Sequence, residues 1–208
     1  HTSSLVATIT NSTNLVEQLQ KLSSNFLSHK ILHSSTRLVT ADVSSLYTNI
    51  DTDRLLRIIR SINPNLSTLL EFILNNNIFM YRTYLYRQNK GIAMGTNCAV
   101  QLANIYMNSV VDKYLLQQPQ IFFYCRYIDD LLFVCKESHC FDFFRKVKTR
   151  VERLSHLTLT FTEPALQTIF LDLQISIKRS SFNTSIYHKE LNKFLYISRK
   201  SCHSTFTF

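Results

Sequence analysis

Glycine is almost missing from this chain. An average protein carries about 7% glycine, whereas these 208 residues hold two, Gly91 and Gly95. Both lie in one segment, Lys90-Gly91-Ile92-Ala93-Met94-Gly95-Thr96-Asn97. Glycine placed so narrowly marks a backbone that bends sharply or lets another group come close; an ordinary hairpin-to-helix turn would ask for the same. There is no tryptophan and proline occurs three times, so no Pro/Gly linker divides the chain. No apolar run reaches about 18 residues, the length that spans a bilayer, and no membrane partner is expected. The five cysteines (Cys98, Cys125, Cys135, Cys140, Cys202) form no Cys-x-x-Cys pair, which argues against a zinc knuckle or a redox motif. Their odd number, without a signal sequence, leads us to expect reduced thiols in an intracellular protein. The seven histidines show no metal-ligand spacing.

Acidic residues are also in short supply, 14 against 23 Lys and Arg, for a net charge of +9. That excess favours a polyanionic partner. No single basic amphipathic helix dominates, so nucleic acid is preferred over an anionic membrane surface. Hydrophobic residues make up 45% of the chain, with 10 Tyr and 15 Phe, enough for one large globular domain or two small ones. The chain starts at His1 and ends within Phe206-Thr207-Phe208, and it reads as a piece of a longer protein.

The most informative stretch is Ile121-Phe122-Phe123-Tyr124-Cys125-Arg126-Tyr127-Ile128-Asp129-Asp130-Leu131-Leu132-Phe133-Val134-Cys135. Aromatic and branched runs of this kind predict strands, which puts Asp129-Asp130 at the bend of a hairpin. Taken alone, the pair reads first as turn residues. Charge in so apolar a setting is nevertheless expensive unless compensated, and a hard divalent cation compensates carboxylates well. A second acidic strand, Leu38-Val39-Thr40-Ala41-Asp42-Val43, favours that reading. Carboxylates on a strand and a neighbouring hairpin suit two-metal phosphoryl transfer.

Periodicity predicts helices over 13–27, after Asp51-Thr52-Asp53 up to Pro64, over about 67–75, from Thr96 or Asn97 to Tyr114, and from Ser138 with Phe141, Phe144, Val147, Val151 and Leu154 inward. Two short strands are predicted between Ile78 and Gln88, with Arg82-Thr83 near their turn. Further strands are expected at Leu157–Phe161 and Ile169–Ile177, with Ile186-Tyr187 pairing back. With 66–116 set aside, the order is strand, helix, strand, strand, helix, strand, the split βαβ arrangement of a ferredoxin-like sheet. The expected class is α+β, with helices on one face of that sheet.

These segments carry a resemblance. Asp42-Val43-Ser44-Ser45-Leu46-Tyr47-Thr48-Asn49-Ile50 is similar to motif A of reverse transcriptases. Gly91-Ile92-Ala93-Met94-Gly95-Thr96, followed by Leu102-Ala103-Asn104-Ile105-Tyr106-Met107, resembles motif B. Tyr127-Ile128-Asp129-Asp130 resembles motif C, and Phe170-Leu171-Asp172-Leu173-Gln174-Ile175 stands where later palm motifs are expected. The wording is most like Penelope-like retroelements, to whose region after the palm Tyr187-His188-Lys189, Tyr196 and 198–203 are similar. The resemblance covers about 38–203.

The resemblance implies one polymerase domain over 1–208, a palm with part of the fingers, with about 180–208 opening the region beyond the palm. It implies an RNA-directed DNA polymerase of a retroelement, with an RNA template, a DNA primer and dNTP as partners and two Mg²⁺ ions, or Mn²⁺, as cofactor. Such a protein from a eukaryotic retroelement is expected in the nucleus. Asp42, Asp129 and Asp130 would be catalytic and metal-binding, with the carbonyl of Val43. Tyr47 matches the steric gate under the nucleotide sugar, with Met94, Gly95 and Thr96 lining base and template. Arg82, Arg87, Lys90, Gly91, Lys189 and Lys193 would contact nucleic acid. Val100 replaces a proline common in relatives. No lysine lies between Ser155 and Gln167 to act as general acid. Finger residues that hold triphosphate are expected upstream, so the 208 residues alone are expected to polymerise weakly or not at all. The alternatives are a telomerase-like enzyme and a decayed or co-opted nucleic-acid-binding domain. Ala93-Met94-Gly95 speaks against the group II intron type, which usually has Pro-Gln-Gly there.

Overall fold

The structure, a computed structural model, describes residues 7–29, 35–136, 140–178 and 181–189, without the side chains of 25–29 and 140. The elements run α1 (Ser12–His29), β1 (Thr36–Ser44), α2 (Leu46–Asn49), α3 (Thr52–Ile62), α4 (Pro64–Asn75), β2 (Ile78–Tyr81), β3 (Tyr84–Arg87), α5 (Ala99–Met107), a π-helical segment (Asn108–Asp112), α6 (Lys113–Leu115), β4 (Ile121–Tyr127), β5 (Asp130–Lys136), α7 (Cys140–Ser155), β6 (Thr158–Phe161), β7 (Gln167–Phe170), β8 (Leu173–Lys178) and β9 (Ser181–Ile186).

Four strands form the central sheet in the order β4-β5-β1-β6, all neighbours antiparallel. This is the ferredoxin-like order expected from the alternation of elements. Side chains alternate across it. Val39, Ala41 and Val43 of β1 and Leu131 and Phe133 of β5 face one core, which α5, the π segment and α7 close through Tyr106, Val110, Phe144, Val147 and Val151. Leu38, Leu132, Val134 and Cys125 face the other. That second face is covered by Leu15 and Leu19 of α1 and by Phe170, Leu173 and Ile175 of a separate β7-β8-β9 sheet.

Local chemistry explains most element boundaries. Asp51 caps α3, its carboxylate accepting from Arg54 N–H at 2.9 Å. Asn63 caps α4 in the same way, accepting from Leu66 N–H at 3.1 Å, and Pro64 opens that helix where its missing N–H costs nothing. The helix therefore starts three residues before the expected Ser67. The helix after the glycine segment starts at Ala99 with no side-chain cap, because bonds from Thr96 N–H to Ala93 O and from Ala99 N–H to Thr96 O spend Thr96 on turns.

Two further boundaries differ from the pattern. The expected strand Ile169–Ile177 is a hairpin, β7 and β8, turning at Leu171 and Asp172 with Leu171 in the left-handed region at φ 56°. Ile186 does pair back, onto Leu173. In α7 the inward aromatics are Phe143 and Phe144, whereas Phe141 is 74% exposed and Leu154 41%. The aromatics at 141, 143 and 144 allow two phases for the stripe, and packing against Phe133 and Phe161 selects one. Ser138 lies outside the described residues.

The two glycines serve different ends. Gly91 is buried at φ +74°, and a Cβ there would lie 2.4 Å from the Tyr47 carbonyl oxygen and 2.6 Å from the Thr48 Cα. Among the described residues, Gly95 has nothing within 4 Å of such a Cβ. We predict that Gly91→Ala destabilises the fold by more than the ~1–2 kcal/mol that left-handed backbone costs a side chain, since a clash adds to it. Gly95→Ala should stay within about 0.5 kcal/mol of the parent, the usual range for open surface positions. Urea unfolding of the two variants checks both.

Candidate active site

Asp42 lies near the C-terminal end of strand β1 and strand β5 begins with Asp130, and the register pairs them directly. Partners in an antiparallel pair point to the same face. The two carboxylates therefore share one face of the sheet, that of Leu38, Leu132 and Val134. Asp129 sits in the two-residue turn before β5, and its carbonyl accepts from Val43 N–H at 3.1 Å. That bond ties the turn to the end of β1. Val43 itself is buried, with its side chain in the core.

Partial burial pushes Asp42 above the usual carboxylate value, and the charge of Asp129 pushes it further. Asp130 is raised by burial first, then by Asp129 and Asp42, while Lys189 opposes the rise. Tyr47 is raised too, by burial and then by Asp129. Like charges held together disfavour ionisation, so among the described residues the site carries an excess of negative charge. For such carboxylates the folded pKa exceeds the unfolded one. Their contribution to stability is complete below the unfolded pKa and is lost as pH rises through the folded value.

Motifs far apart in sequence meet here. Tyr47 lies in α2, entered through Ser45 at φ 51°. Its carbonyl accepts from Ile92 N–H at 2.8 Å, and Gly91 lies against the same backbone. The end of β1, the start of the glycine segment and the acidic turn are thus joined by short backbone contacts. Met94 is 74% exposed and Gly95 is open, so that segment offers free surface beside Tyr47. Thr96 is partly buried, its N–H spent on Ala93.

The remaining expected contacts scatter. Gly91 is buried against the chain's own backbone, and nothing in the geometry supports a nucleic-acid contact there. Arg82 occupies the β2–β3 turn over the Tyr81 ring, 5.5 Å from its centroid. Arg87 donates to Asn89 at 3.2 Å, and Lys90 is exposed. Lys189 reaches Asp130 electrostatically. Lys193 lies outside the described residues, as do Tyr196 and 198–203.

Sequence reasoning missed the group that holds the acidic turn. Arg126 on β4 is fully buried and pairs with the equally buried Asp112, Nη2 to Oδ2 at 2.7 Å and Nε to Oδ1 at 3.0 Å. Asp112 also accepts from the Tyr124 hydroxyl at 2.7 Å. Arg126 Nη1 donates to Asn104 at 2.7 Å and to the Ile128 carbonyl at 2.8 Å. Ile128 precedes Asp129 and stands at φ 54°, a rare conformation for a β-branched residue. Burial alone would lower the Arg126 pKa, but its bond to Asp112 and that carboxylate's charge leave it raised. Asp112 stands at the end of the π segment, buried beside Val110 and Val111. The available signal was a charged residue within an otherwise apolar strand.

A ferredoxin-like sheet with carboxylates gathered at the β1 end and the β4–β5 turn defines a nucleic-acid polymerase palm with part of the fingers. Residues 3–162 match the family described as reverse transcriptase (RNA-dependent DNA polymerase), and the chain belongs to that family. No curated protein matches it in sequence. Among solved structures it is similar to telomerase from Candida albicans in complex with a TWJ fragment of telomeric RNA. The TM-score is 0.71 at 11% identity, covering 84% of this chain and 35% of that one. It is similar also to apo telomerase from Candida tropicalis truncated from its C-terminal domain, with TM-score 0.67 at 12% identity, covering 86% and 41%. At such identities the likeness is one of fold, and the chain spans little more than a third of those proteins.

We predict that Arg126→Met, which leaves Asp112 charged and buried, costs about 3–5 kcal/mol. The double variant Arg126→Met/Asp112→Leu should recover most of that loss, because the orphaned charge is gone. Denaturant titration of the single and double variants reads the difference.

Proposed function

We propose that the protein is an RNA-directed DNA polymerase of a retroelement, of the Penelope-like type. One observation carries the reading: Asp42, Asp129 and Asp130 are gathered at one end of the sheet, where Asp42 pairs with Asp130 across the strands and the Asp129 carbonyl is bonded to Val43. Among the described residues no three His, Cys, Asp or Glu side chains close on a single ion. The donors nevertheless fit Mg²⁺, which keeps waters and takes one or two carboxylates plus substrate phosphates. Asp42 and Asp129 would hold it, with Asp130 and the Val43 carbonyl in support. When bound, such ions activate a primer 3′-hydroxyl and neutralise charge at phosphorus.

The chain's own residues position the reactants. Tyr47, pinned through its carbonyl to Ile92, would lie under the incoming sugar and exclude a 2′-hydroxyl. Met94, Gly95 and Thr96 would face base and template, and Lys189 would approach the primer backbone. RNA template, DNA primer and dNTP are the proposed partners, and the nucleus of a eukaryotic host the proposed place of action. A telomerase-like enzyme is the second reading, favoured by the telomerases among the structural neighbours. Against it stand the motif A and B segments around Asp42 and Met94, worded most like those of Penelope-like elements.

Primer extension on an RNA template by the full-length protein tests the activity. Asp129→Asn should lower the rate at least about 100-fold, because even partners one layer removed from a metal cost 10–100-fold when lost. Unchanged extension would remove Asp129 from the mechanism.

Sugar selection is a separate test. Tyr47→Ala should admit ribonucleotides up to about 100-fold more readily, the discrimination a packed pocket achieves against one hydroxyl. Tyr47→Phe keeps the ring and should keep the preference. Nucleotide competition assays compare the two.

A further inference from the structure

Helix α7 lies on the side of the central sheet away from the carboxylates. Its Phe144, Val147 and Val151 pack with Val39, Ala41 and Phe133, whereas Asp42 and Asp130 share the parity of Leu38 and Leu132. The outer surface of α7 forms a groove of about 390 Å³ with the end of the preceding helical run. Tyr114, Arg145, Lys146, Thr149, Arg150 and Arg153 line it. Four of the six are cations, and no carboxylate is among them. The Arg150 guanidinium lies over the Tyr114 ring, 4.4 Å from its centroid.

A solvated helix face does not account for this arrangement. Two arginines of α3 find partners within the fold: Arg54 donates to the Leu154 carbonyl, and Arg60 pairs with Glu71 at 3.7 Å. On α7, Arg145 pairs with Asp142 at 3.0 Å and Lys148 with Glu152 at 4.0 Å. Lys146, Arg150 and Arg153 have no acidic partner among the described residues. They stand at i, i+4 and i, i+3 spacings, where like charges on a helix repel. The concave surface thus gathers positive charge that the fold does not neutralise. Positions 145–153 extend about 12 Å along the helix at 1.5 Å per residue. An extended single strand spaces its phosphates more widely than the ~3.4 Å of axis per phosphate in one strand of a duplex, so about two or three fall over that length. The Tyr114–Arg150 stack adds a flat surface of the kind on which bases stack.

We propose that this groove is a second nucleic-acid site, which grips the sugar-phosphate backbone of a single-stranded segment outside the copied duplex. It goes beyond the polymerase reading and needs no catalysis.

The test is fluorescence anisotropy of the full chain with a short labelled single-stranded RNA, and the DNA of the same sequence, across a salt series. Lys146→Gln/Arg150→Gln/Arg153→Gln should flatten the slope of log K against log salt by about 2, at about 0.7 per phosphate contact of a single strand, and weaken binding roughly tenfold or more. Equal loss on RNA and DNA marks backbone recognition, and loss on RNA alone adds the 2′-hydroxyl; both support the site. Arg150→Lys keeps the charge and should keep the slope; a slope as flat as that of the triple variant would overturn a backbone-charge site. A triple variant that binds with the parent's slope also overturns the proposal. Polyglutamate competing as well as RNA overturns it too, and points to an acidic protein surface instead. Primer extension on a pre-annealed template and primer separates the two readings. It should survive the triple substitution and fail in Asp129→Asn. Extension abolished by Asp129→Asn beside unchanged RNA binding in the triple variant leaves the polymerase standing and removes the groove; the converse removes the polymerase alone.

Discussion

Asp42 and Asp130 are partners across β1 and β5, so the two inner strands of the palm sheet meet at one end in like charges. Asp129 adds a third a residue away. Directly opposed like charges destabilise a strand pair, and partial burial raises that cost. The sheet must therefore be held by everything except its functional end. The apolar residues behind the acids do this: Leu131, Leu132, Phe133 and Val134 are all fully buried, serving two cores on alternate faces. Such an arrangement stores at the site a demand for positive charge that a ligand can meet.

The second requirement is that the turn carrying Asp129 stay in place although its backbone is strained at Ile128. The Arg126–Asp112 pair answers it. One guanidinium spans the π segment, Asn104 and the Ile128 carbonyl, so the acidic turn is anchored to the helices behind the sheet. Buried ion pairs are poor sources of net stability. Their value here is geometric, in fixing a turn that aromatic packing alone would leave adjustable. Gly91 does related work on the opposite side of the site. It lets the glycine segment seat on the backbone of Tyr47 and Thr48 with no side chain between, which holds the candidate sugar-contacting residue against the start of the α5 region.

Much of this was legible along the chain because the signals are local. Alternation of branched and aromatic residues marked β1, β4 and β5, Asp51 announced α3, and the Leu15/Leu19 spacing announced α1. The order of strands and helices was enough to place Asp42 beside Asp129-Asp130. The reading failed where a local pattern admits two answers. Phe141, Phe143 and Phe144 allow two helix phases, Ile169–Ile177 contains a turn with no glycine or proline to mark it, and Pro64 closes one helix and opens the next.

Residue order alone determined the separate elements, the acidic strand and hairpin, and the narrow placement of glycine, because each depends on neighbours within a few positions. Tertiary structure decided which residue Arg126 would find, and which face of α7 would gather cations that have no acidic partner among the described residues. It also seated Gly91 against the backbone of Tyr47 and Thr48. These outcomes depend on contacts between groups tens of residues apart, such as Arg126 with Thr8 or Gly91 with Tyr47. No periodicity in the chain encodes which distant groups will be neighbours once the two cores close.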